Sequence, residues 1–223
     1  MITIKNLSFS YTKGTDLLKN INLNIPTGIY LSILGENGSC KSTLVKLILG
    51  LLKPDSGCIS LDSNKISYVS QRLDNFNAEF PITVKEVLSC HAKTVGIKNS
   101  KSIQSSLKNV NMSEFSNKLI GNLSGGQQQR IFIARALIGD PDLIILDEPS
   151  TGIDEKSQNE IYPLLQSLNK DLGKTIISVE HNTKVALKYS THILKLENCS
   201  MKLYTNEDFK RYLESEDSFY NII

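Results

Sequence analysis

Histidine and cysteine are scarce in this chain of 223 residues, and both are widely dispersed. None of the four cysteines forms a C-x-x-C pair with another, and the three histidines lack the spacing of metal ligands. The composition therefore argues against a zinc site or a disulfide framework, and it predicts free thiols in a reducing compartment. No repeat or low-complexity tract is visible, so the length fits one large domain or a domain with a small lobe.

Long apolar runs and an excess of one charge are also missing. No window approaches the roughly 20 apolar residues that a membrane-spanning helix needs. Residues 1–5 lack the apolar core of a signal peptide. The net charge is +2 with both signs mixed along the chain, so no nucleic-acid partner is expected. These absences predict a cytoplasmic protein, whose role at a membrane would come through a partner.

The first informative pattern is a glycine-bearing loop between a predicted strand and a predicted helix. Residues 29–34 are a short apolar run, and residues 42–52 carry apolar side chains at helical spacing. Such a turn directs backbone N–H groups and a helix N-terminus at phosphate oxygens, so it predicts binding of a nucleoside triphosphate. A chance turn containing glycine and lysine is the alternative. The loop comprises Gly35, Glu36, Asn37, Gly38, Ser39, Cys40, Lys41, Ser42 and Thr43.

Cys40 departs from the usual pattern of this loop. The pattern G-x-x-x-x-G-K-[ST] has glycine before the lysine, where this chain has Cys40. Lys41 is still predicted to reach the β- and γ-phosphates, and the Ser42 hydroxyl to bind Mg²⁺. Three hypotheses for Cys40 remain open. In the first, nucleotide binding is slowed or weakened, because a side chain at this position resists unusual φ values. In the second, the thiol is a reactive switch beside Lys41. In the third, the small side chain is tolerated in an active enzyme.

The most specific string in the chain predicts the start of a helix. Ser124 can cap this helix and Gln127 lies at its third position, which is the spacing of a capping box. The two intervening glycines leave backbone N–H groups bare at the positive end of the helix dipole, so a second anion site is predicted. An ordinary well-capped helix is the alternative. The string is Leu123, Ser124, Gly125, Gly126 and Gln127, followed by Gln128, Gln129 and Arg130.

Two aliphatic stretches end in polar residues that suit nucleotide chemistry. Residues 143–146 lead into Asp147 and Glu148, at the edge where parallel sheets bind ligands. Asp147 is placed for the Mg²⁺ shell, and Glu148 for accepting a proton from the attacking water. Residues 175–179 lead to His181, which is predicted to sense the γ-phosphate. A strand meeting an acidic turn and a structural histidine are the alternatives.

In order and spacing, these motifs resemble the ATP-binding subunit of an ABC transporter over nearly the whole chain. Residues 35–43 resemble its Walker A loop, residues 123–127 its signature motif, and residues 143–148 its Walker B motif with the catalytic glutamate. The family implies an α/β P-loop NTPase fold. This fold has a RecA-like parallel core, an N-terminal antiparallel β subdomain and an α-helical subdomain.

Single residues extend the resemblance. Asp154 lies in a stretch similar to the D-loop, and His181 resembles the switch histidine. Gln71 resembles the Q-loop glutamine that meets Mg²⁺ and senses the membrane subunit. Tyr11 resembles the aromatic residue that stacks on adenine, with Phe9 as the alternate.

The resemblance also implies an internal organisation and a set of partners. The cofactors would be ATP and Mg²⁺, and ATP binding would close a head-to-tail homodimer. Permease subunits would hold the chain at the inner face of the membrane, with an extracellular solute-binding protein in the full system. The expected single domain, 1–223, has an antiparallel β layer (mainly 1–30 and 53–70), an ATP-binding core (31–52 and 137–205), a helical subdomain (72–136) and a C-terminal surface appendage (206–223).

The segment after Gln71 resembles the branch that imports manganese, zinc or iron. A Gln-Arg pair is followed there by Phe-Pro-Ile-Thr-Val at residues 80–84, and Thr83 with Glu86 has capping-box spacing for a helix running toward Gly96. Another substrate, or export, stays open. Ser70 and Asn182 stand where this branch usually has proline and aspartate.

Two other function classes stay open beside the transport ATPase. Cys40 favours a module in which ATP-driven dimerisation matters more than turnover. A soluble ABC protein acting on ribosomes or DNA is the other, although such proteins usually carry two cassettes or long insertions. Pro163 falls inside the helix expected from Glu155 to Leu172, where it should cost about 3 kcal/mol or force a kink.

Overall fold

The computed structural model describes residues 1–12, 17–70, 80–197 and 200–220, with side chains through residue 215. Its strands are β1 (Ile2–Phe9), β2 (Leu18–Ile25), β3 (Tyr30–Leu34), β4 (Ser56–Leu61), β5 (Ile66–Val69), β6 (Leu143–Asp147), β7 (Thr175–Glu180), β8 (His192–Glu197) and β9 (Ser200–Thr205). Its α-helices are α1 (Lys41–Ile48), α2 (Val84–Thr94), α3 (Ser100–Asn109), α4 (Gly125–Leu137), α5 (Glu155–Lys170), α6 (Thr183–Tyr189) and α7 (Asn206–Tyr220).

These elements group into two compact units. Unit 1 combines Met1–Asn64 with Thr175–Ile223, and unit 2 is the intervening stretch Lys65–Lys174. In the ranges described, no helix is both long and apolar enough to cross a membrane.

An antiparallel sheet in the order β2-β1-β4 forms one layer of unit 1. The register places Ile2 opposite Ile25. Alternation along β1 explains the layer, because its inward residues are apolar and buried while most of the intervening ones reach solvent. These inward residues are Ile2, Ile4, Leu7 and Phe9. The predicted N-terminal antiparallel β subdomain is confirmed.

The parallel strands of unit 1 lie in the order β7-β3-β8, and β9 runs antiparallel beside β8. Tyr30 pairs with Ile176, and Leu31 pairs with both Ile177 and His192. Every residue of β3 and β7 is buried, which explains why both segments read as continuous apolar runs. The predicted α/β class with a parallel core is confirmed.

The C-terminal helix α7 is anchored in unit 1 by an aromatic cluster. Phe209 is 2% exposed and packs with Leu34, Ala186 and Ile193, and Tyr204 and Tyr212 flank this cluster. From sequence, residues 206–223 read as an acidic surface appendage, but one face of α7 contributes to the core. Aromatic residues in an otherwise charged helix carry this burial.

Unit 2 contains the parallel pair β5–β6, in which Val69 lies opposite Leu146. Residues 66–69 thus lie in a parallel pair, although the sequence assigns 53–70 mainly to the antiparallel layer. The capping box predicted for α2 is confirmed. The N–H of Glu86 donates to Thr83 Oγ1 at 3.3 Å, and the N–H of Thr83 donates to Glu86 Oε2 at 2.8 Å.

Helix α5 continues past Pro163, from Glu155 to Lys170. A proline cannot donate to the carbonyl four residues earlier, which here belongs to Asn159. Both Asn159 and Pro163 lie on the exposed side of α5, so water can reach this carbonyl. Solvent on that side explains why the helix tolerates a residue that would end a buried one.

Candidate functional site

The phosphate-type loop of unit 1 connects buried β3 to α1. Its turn is closed by the N–H of Ser39, which donates to the Glu36 carbonyl at 3.1 Å. Gly38 has φ +85°, and a Cβ on Gly35 would lie 2.4 Å from Ser39 Oγ and 2.6 Å from the Leu196 carbonyl oxygen. Glycine is therefore required at position 38 because the backbone there is left-handed, and at position 35 because neighbouring atoms leave no room for a side chain.

Lys41 is the first residue of α1, one position before the helix predicted from Ser42. Its side chain is 6% exposed, and its ammonium donates to the carbonyls of Gly35 at 2.7 Å and Glu36 at 2.8 Å. The ammonium thus lies across the loop, next to the N-terminus of α1. A positive side chain and the positive end of a helix dipole at one turn suit a phosphate group.

Cys40 is the N-cap residue of α1 and adopts a left-handed conformation, with φ 75° and ψ 15°. The unusual φ expected at this position is confirmed. Its Sγ lies 3.6 Å from the Gly38 carbonyl oxygen and 3.8 Å from that of Leu17, so the side chain is accommodated at the loop rather than pushed into solvent. The strain resides in the backbone, because non-glycine residues disfavour this region.

Tyr11 and Phe9 differ sharply in exposure. Tyr11 is 63% exposed, and its hydroxyl lies 3.2 Å from Thr43 Oγ1 in the first turn of α1. Phe9 is buried and supports the Tyr11 ring edge-on, with the centroids 5.0 Å apart. Of the two aromatic residues, only Tyr11 therefore offers a ring face that a planar ligand could stack on.

The carboxyl end of β7 presents a buried acid and an exposed histidine. Glu180 accepts a hydrogen bond from the Ser178 hydroxyl, and His181 follows at the surface. Asn182 caps α6, because its side-chain oxygen accepts from the N–H groups of Lys184 at 3.0 Å and Val185 at 3.3 Å.

Asp147 and Glu148 stand at the carboxyl end of β6 in unit 2. Asp147 is 9% exposed and accepts a hydrogen bond from the Tyr68 hydroxyl at 3.3 Å. Burial, and then the charge of Asp147, raise the pKa of Tyr68 to about 12. Glu148 has φ 50°, a strained conformation for a glutamate, and its Oε2 accepts from Thr151 Oγ1 at 2.9 Å.

The glycine-containing helix start has the predicted capping box. The N–H of Gln127 donates to Ser124 Oγ at 3.3 Å, and the N–H of Ser124 donates to Gln127 Oε1 at 3.0 Å. The turn before it is held by Gln128, whose Nε2 donates to the Leu123 carbonyl at 3.1 Å. Local hydrogen bonds thus fix the N-terminus of α4.

The two glycines at this helix start have different surroundings within unit 2. A Cβ on Gly125 would meet no described atom within 4 Å. A Cβ on Gly126 would lie 2.3 Å from both Cβ and Oγ of Ser157. Gly126 therefore allows α4 and α5 to approach closely, whereas Gly125 leaves room above the helix start.

Asp154 caps α5 and holds Ser157. It accepts from the Ser157 N–H at 3.0 Å and from the Ser157 hydroxyl at 2.7 Å. These hydrogen bonds, the hydroxyl's first, lower the pKa of Asp154. In this structure Asp154 therefore orders the contact between α5 and α4.

Of the site residues proposed from sequence, Gln71 lies outside the described residues. Two residues that sequence reasoning passed over acquire clear contacts: Tyr68, which hydrogen-bonds Asp147, and Ser157, which packs on Gly126. Tyr68 belongs to a strand identified only by its apolar pattern, and Ser157 is an ordinary helix residue. Neither has a motif-level signal, because both contacts depend on how elements pair.

The loop and its lysine, carried between a buried parallel strand and a helix, define the class of P-loop nucleoside-triphosphate-binding proteins. Comparison with known proteins narrows this class. The family model described as "ABC transporter" matches residues 18–151. The chain belongs to this family, as one of its ATP-hydrolysing cassettes.

Individual relatives match over almost their whole length. The chain is 43% identical over 212 residues to a probable metal transport system ATP-binding protein of Treponema pallidum, covering 92% of this chain and 89% of the relative. It is 37% identical over 233 residues to the zinc uptake system ATP-binding protein ZurA of Listeria monocytogenes, covering 97% and 90%.

One solved structure is similar to this chain in fold. It is a dimeric, post-hydrolysis ATP-binding cassette bound to ADP and Pi, with a TM-score of 0.75 and 30% identity. The match covers 92% of this chain and 99% of that one.

Proposed function

We propose that this chain is the ATPase subunit that powers uptake of a transition-metal ion, zinc, manganese or iron, through a separate membrane permease. The observation that carries this proposal is the near full-length similarity to the Treponema and Listeria proteins, which are named for metal transport and zinc uptake. Within the described residues no group of histidine, cysteine and acidic side chains could hold a metal ion. The transported ion would therefore be bound by other subunits.

We infer that residues 35–43 hold the triphosphate of ATP, with Tyr11 against the adenine. The Lys41 ammonium now donates to the carbonyls of Gly35 and Glu36 in the loop. When ATP binds, it would exchange these two carbonyl oxygens for phosphate oxygens. This exchange favours binding because charge-assisted contacts are stronger than those to neutral carbonyls. The Tyr11 ring is already held near the loop by Thr43.

Glu148 is proposed as the base that takes a proton from the attacking water, and His181 as the residue that senses the γ-phosphate. The Thr151 hydroxyl donates to Glu148 Oε2 at 2.9 Å and so helps to hold the carboxylate in place. The strained φ of Glu148 supports this role, because strain at a polar residue is common at functional sites.

The chemistry of the proposed ligands fits Mg²⁺. The Ser42 hydroxyl is exposed in the first turn of α1, and the Asp147 carboxylate ends β6; oxygen donors of this kind are the ones Mg²⁺ takes. Ser42, Asp147 and Gln71 would hold it. The ion would offset the charge that develops on the phosphate during transfer.

We propose that two copies of the chain assemble when ATP binds, with Leu123, Ser124, Gly125, Gly126 and Gln127 of one copy contacting the nucleotide of the other. The similar cassette bound to ADP and Pi is a dimer, which supports this assembly. The room above Gly125 supports it as well. In the full system, permease subunits would hold the dimer at the inner face of the membrane, and an extracellular solute-binding protein would deliver the ion.

Hydrolysis of MgATP by the purified chain tests the enzymatic part of the proposal under reducing conditions. We expect turnover by the wild type, about the same rate in Cys40→Gly, and loss of about 100-fold or more in Glu148→Gln. A chain that hydrolyses ATP equally well with and without Glu148 would refute the assignment of the base. Uptake of Zn²⁺, Mn²⁺ and Fe²⁺ into liposomes that carry the chain with its permease then identifies the ion.

The left-handed Cys40 favours one second candidate, an ATP-gated dimerising module with slow or redox-controlled turnover. This candidate predicts that only Cys40→Gly turns over quickly, while the wild type binds ATP and dimerises. It also predicts that a thiol reductant raises the wild-type rate. A wild-type rate equal to that of Cys40→Gly, and independent of the reductant, excludes it.

A further inference from the structure

Tyr68 reaches Asp147 across two paired strands. In the register of β5 and β6, Tyr68 lies opposite Ile145, and Asp147 is two residues further along β6. Residues two apart on a strand share a face, so Tyr68 and Asp147 are diagonal neighbours on one side of the pair. Long aromatic side chains span such diagonals. The hydroxyl accordingly lies 3.3 Å from Asp147 Oδ2.

The hydrogen bond has one direction. The phenol is the donor and the carboxylate the acceptor, because an ionised carboxylate has no proton to give. Asp147 is buried, so its orientation is decided by fixed neighbours rather than by bulk water. A donor on Oδ2 restrains rotation of the carboxylate, which sets the direction of Oδ1.

We propose that Tyr68 is a positioning residue for Asp147, orienting the carboxylate toward the Mg²⁺ of MgATP. This inference rests on the proposed function, since it needs a metal–nucleotide complex at Asp147. Removing a residue that orients a metal ligand lowers metal affinity by about 10–100-fold in other sites. At 3.3 Å the bond is longer than the usual O–H···O range of about 2.5–3.0 Å, so we expect an effect at the low end, about tenfold.

Binding of Mn²⁺ in the presence of ATP tests the inference, because electron paramagnetic resonance reports free Mn²⁺ directly. Every chain carries Glu148→Gln, so hydrolysis does not interfere. The test variant is Tyr68→Phe, which removes only the hydroxyl. The matched control is Tyr212→Phe, which removes a hydroxyl that accepts from Lys195 Nζ at 2.6 Å in the aromatic cluster of α7. A fluorescent ATP analogue in EDTA measures nucleotide binding without metal.

We expect Tyr68→Phe to raise the half-saturating Mn²⁺ concentration about tenfold while nucleotide binding in EDTA is unchanged. Tyr212→Phe should change neither. Unchanged Mn²⁺ binding in Tyr68→Phe overturns the inference. So does an equal loss of binding in EDTA, or failure to fold, because the hydroxyl would then support the strand pair instead. If the chain with native Tyr68 binds no nucleotide under either condition, the proposed function itself is wrong.

Discussion

Adding one methyl group at Gly126 should destabilise unit 2, whereas the same change at Gly125 should not. The new Cβ at position 126 would lie 2.3 Å from the Cβ and the Oγ of Ser157, well inside van der Waals contact. Ser157 cannot turn away, because its Cβ is fixed to the backbone of α5 and its hydroxyl is bound to Asp154 at 2.7 Å. Helices α4 and α5 must therefore separate by roughly 1 Å.

The size of the effect follows from two opposing terms. Overpacking of this kind costs about 1–3 kcal/mol, while replacing glycine by alanine in a helix returns up to about 1 kcal/mol. Gly126→Ala should therefore lose about 1–2 kcal/mol of unfolding free energy, or about 3–6 °C in Tm for a chain of this size. Gly125→Ala should be neutral or slightly stabilising, since its Cβ would meet no described atom within 4 Å.

Second-site variants separate this clash from other causes. In thermal unfolding, Gly126→Ala should cost little when it is added to Ser157→Gly, because both colliding atoms are then gone; Ser157→Gly alone is the reference, since glycine in a helix has its own cost. Ser157→Ala keeps the Cβ at 2.3 Å and should give little rescue. The reasoning is refuted if Gly126→Ala is as stable as the wild type, or if both second-site changes rescue equally. ATPase rates of Gly125→Ala add a functional comparison: lost activity at full stability would support contact with a nucleotide from the other copy.

Two further predictions concern strain and pH. Cys40→Gly removes the backbone strain of a non-glycine residue in the left-handed region and should raise Tm by about 2–4 °C under reducing conditions. Cys40→Ala keeps this strain and should not raise Tm. Equal gains in the two variants would exclude strain as the cause. Burial, and then the charge of Arg135, lower the pKa of His91 from its usual 6.5, so the unfolded chain binds the extra proton and stability should fall as pH drops below about 6.5. Measured between about pH 7.5 and about pH 5.5, His91→Gln should reduce this loss of Tm, and an undiminished loss would contradict the assignment.

The parts of the structure that sequence predicts best are set by nearby residues. Both capping boxes could be predicted because each joins residues three apart, Thr83 to Glu86 and Ser124 to Gln127. The strands at the core followed from continuous apolar runs. The end of one helix differs from the prediction: α1 stops at Ile48, short of the expected Leu52, and Gly50 beyond it has φ +69°.

What sequence could not provide depends on contacts between distant segments. The link from Tyr68 to Asp147 requires the register of β5 on β6, and the crowding of Gly126 requires α5 to lie against α4. Burial of Phe209 was missed for the same reason, because the charges of α7 dominate its local pattern. Motifs of closely spaced residues identify the site residues, whereas the contacts that hold those residues in place join segments far apart in the chain.

The order in which the strands of unit 1 are synthesised sets when its phosphate loop can become complete. β3 emerges early, but its neighbours β7 and β8 begin only at Thr175 and His192. At about 5–20 residues per second, β3 waits roughly seven to thirty seconds on the ribosome for a strand to pair with. Unit 2 is one continuous stretch and can form during that interval. The loop is thus among the first segments to be translated, but the strands on both sides of β3 are among the last. Truncation or stalling before residue 175 would therefore leave apolar β3 unpaired and exposed to chaperones and proteases.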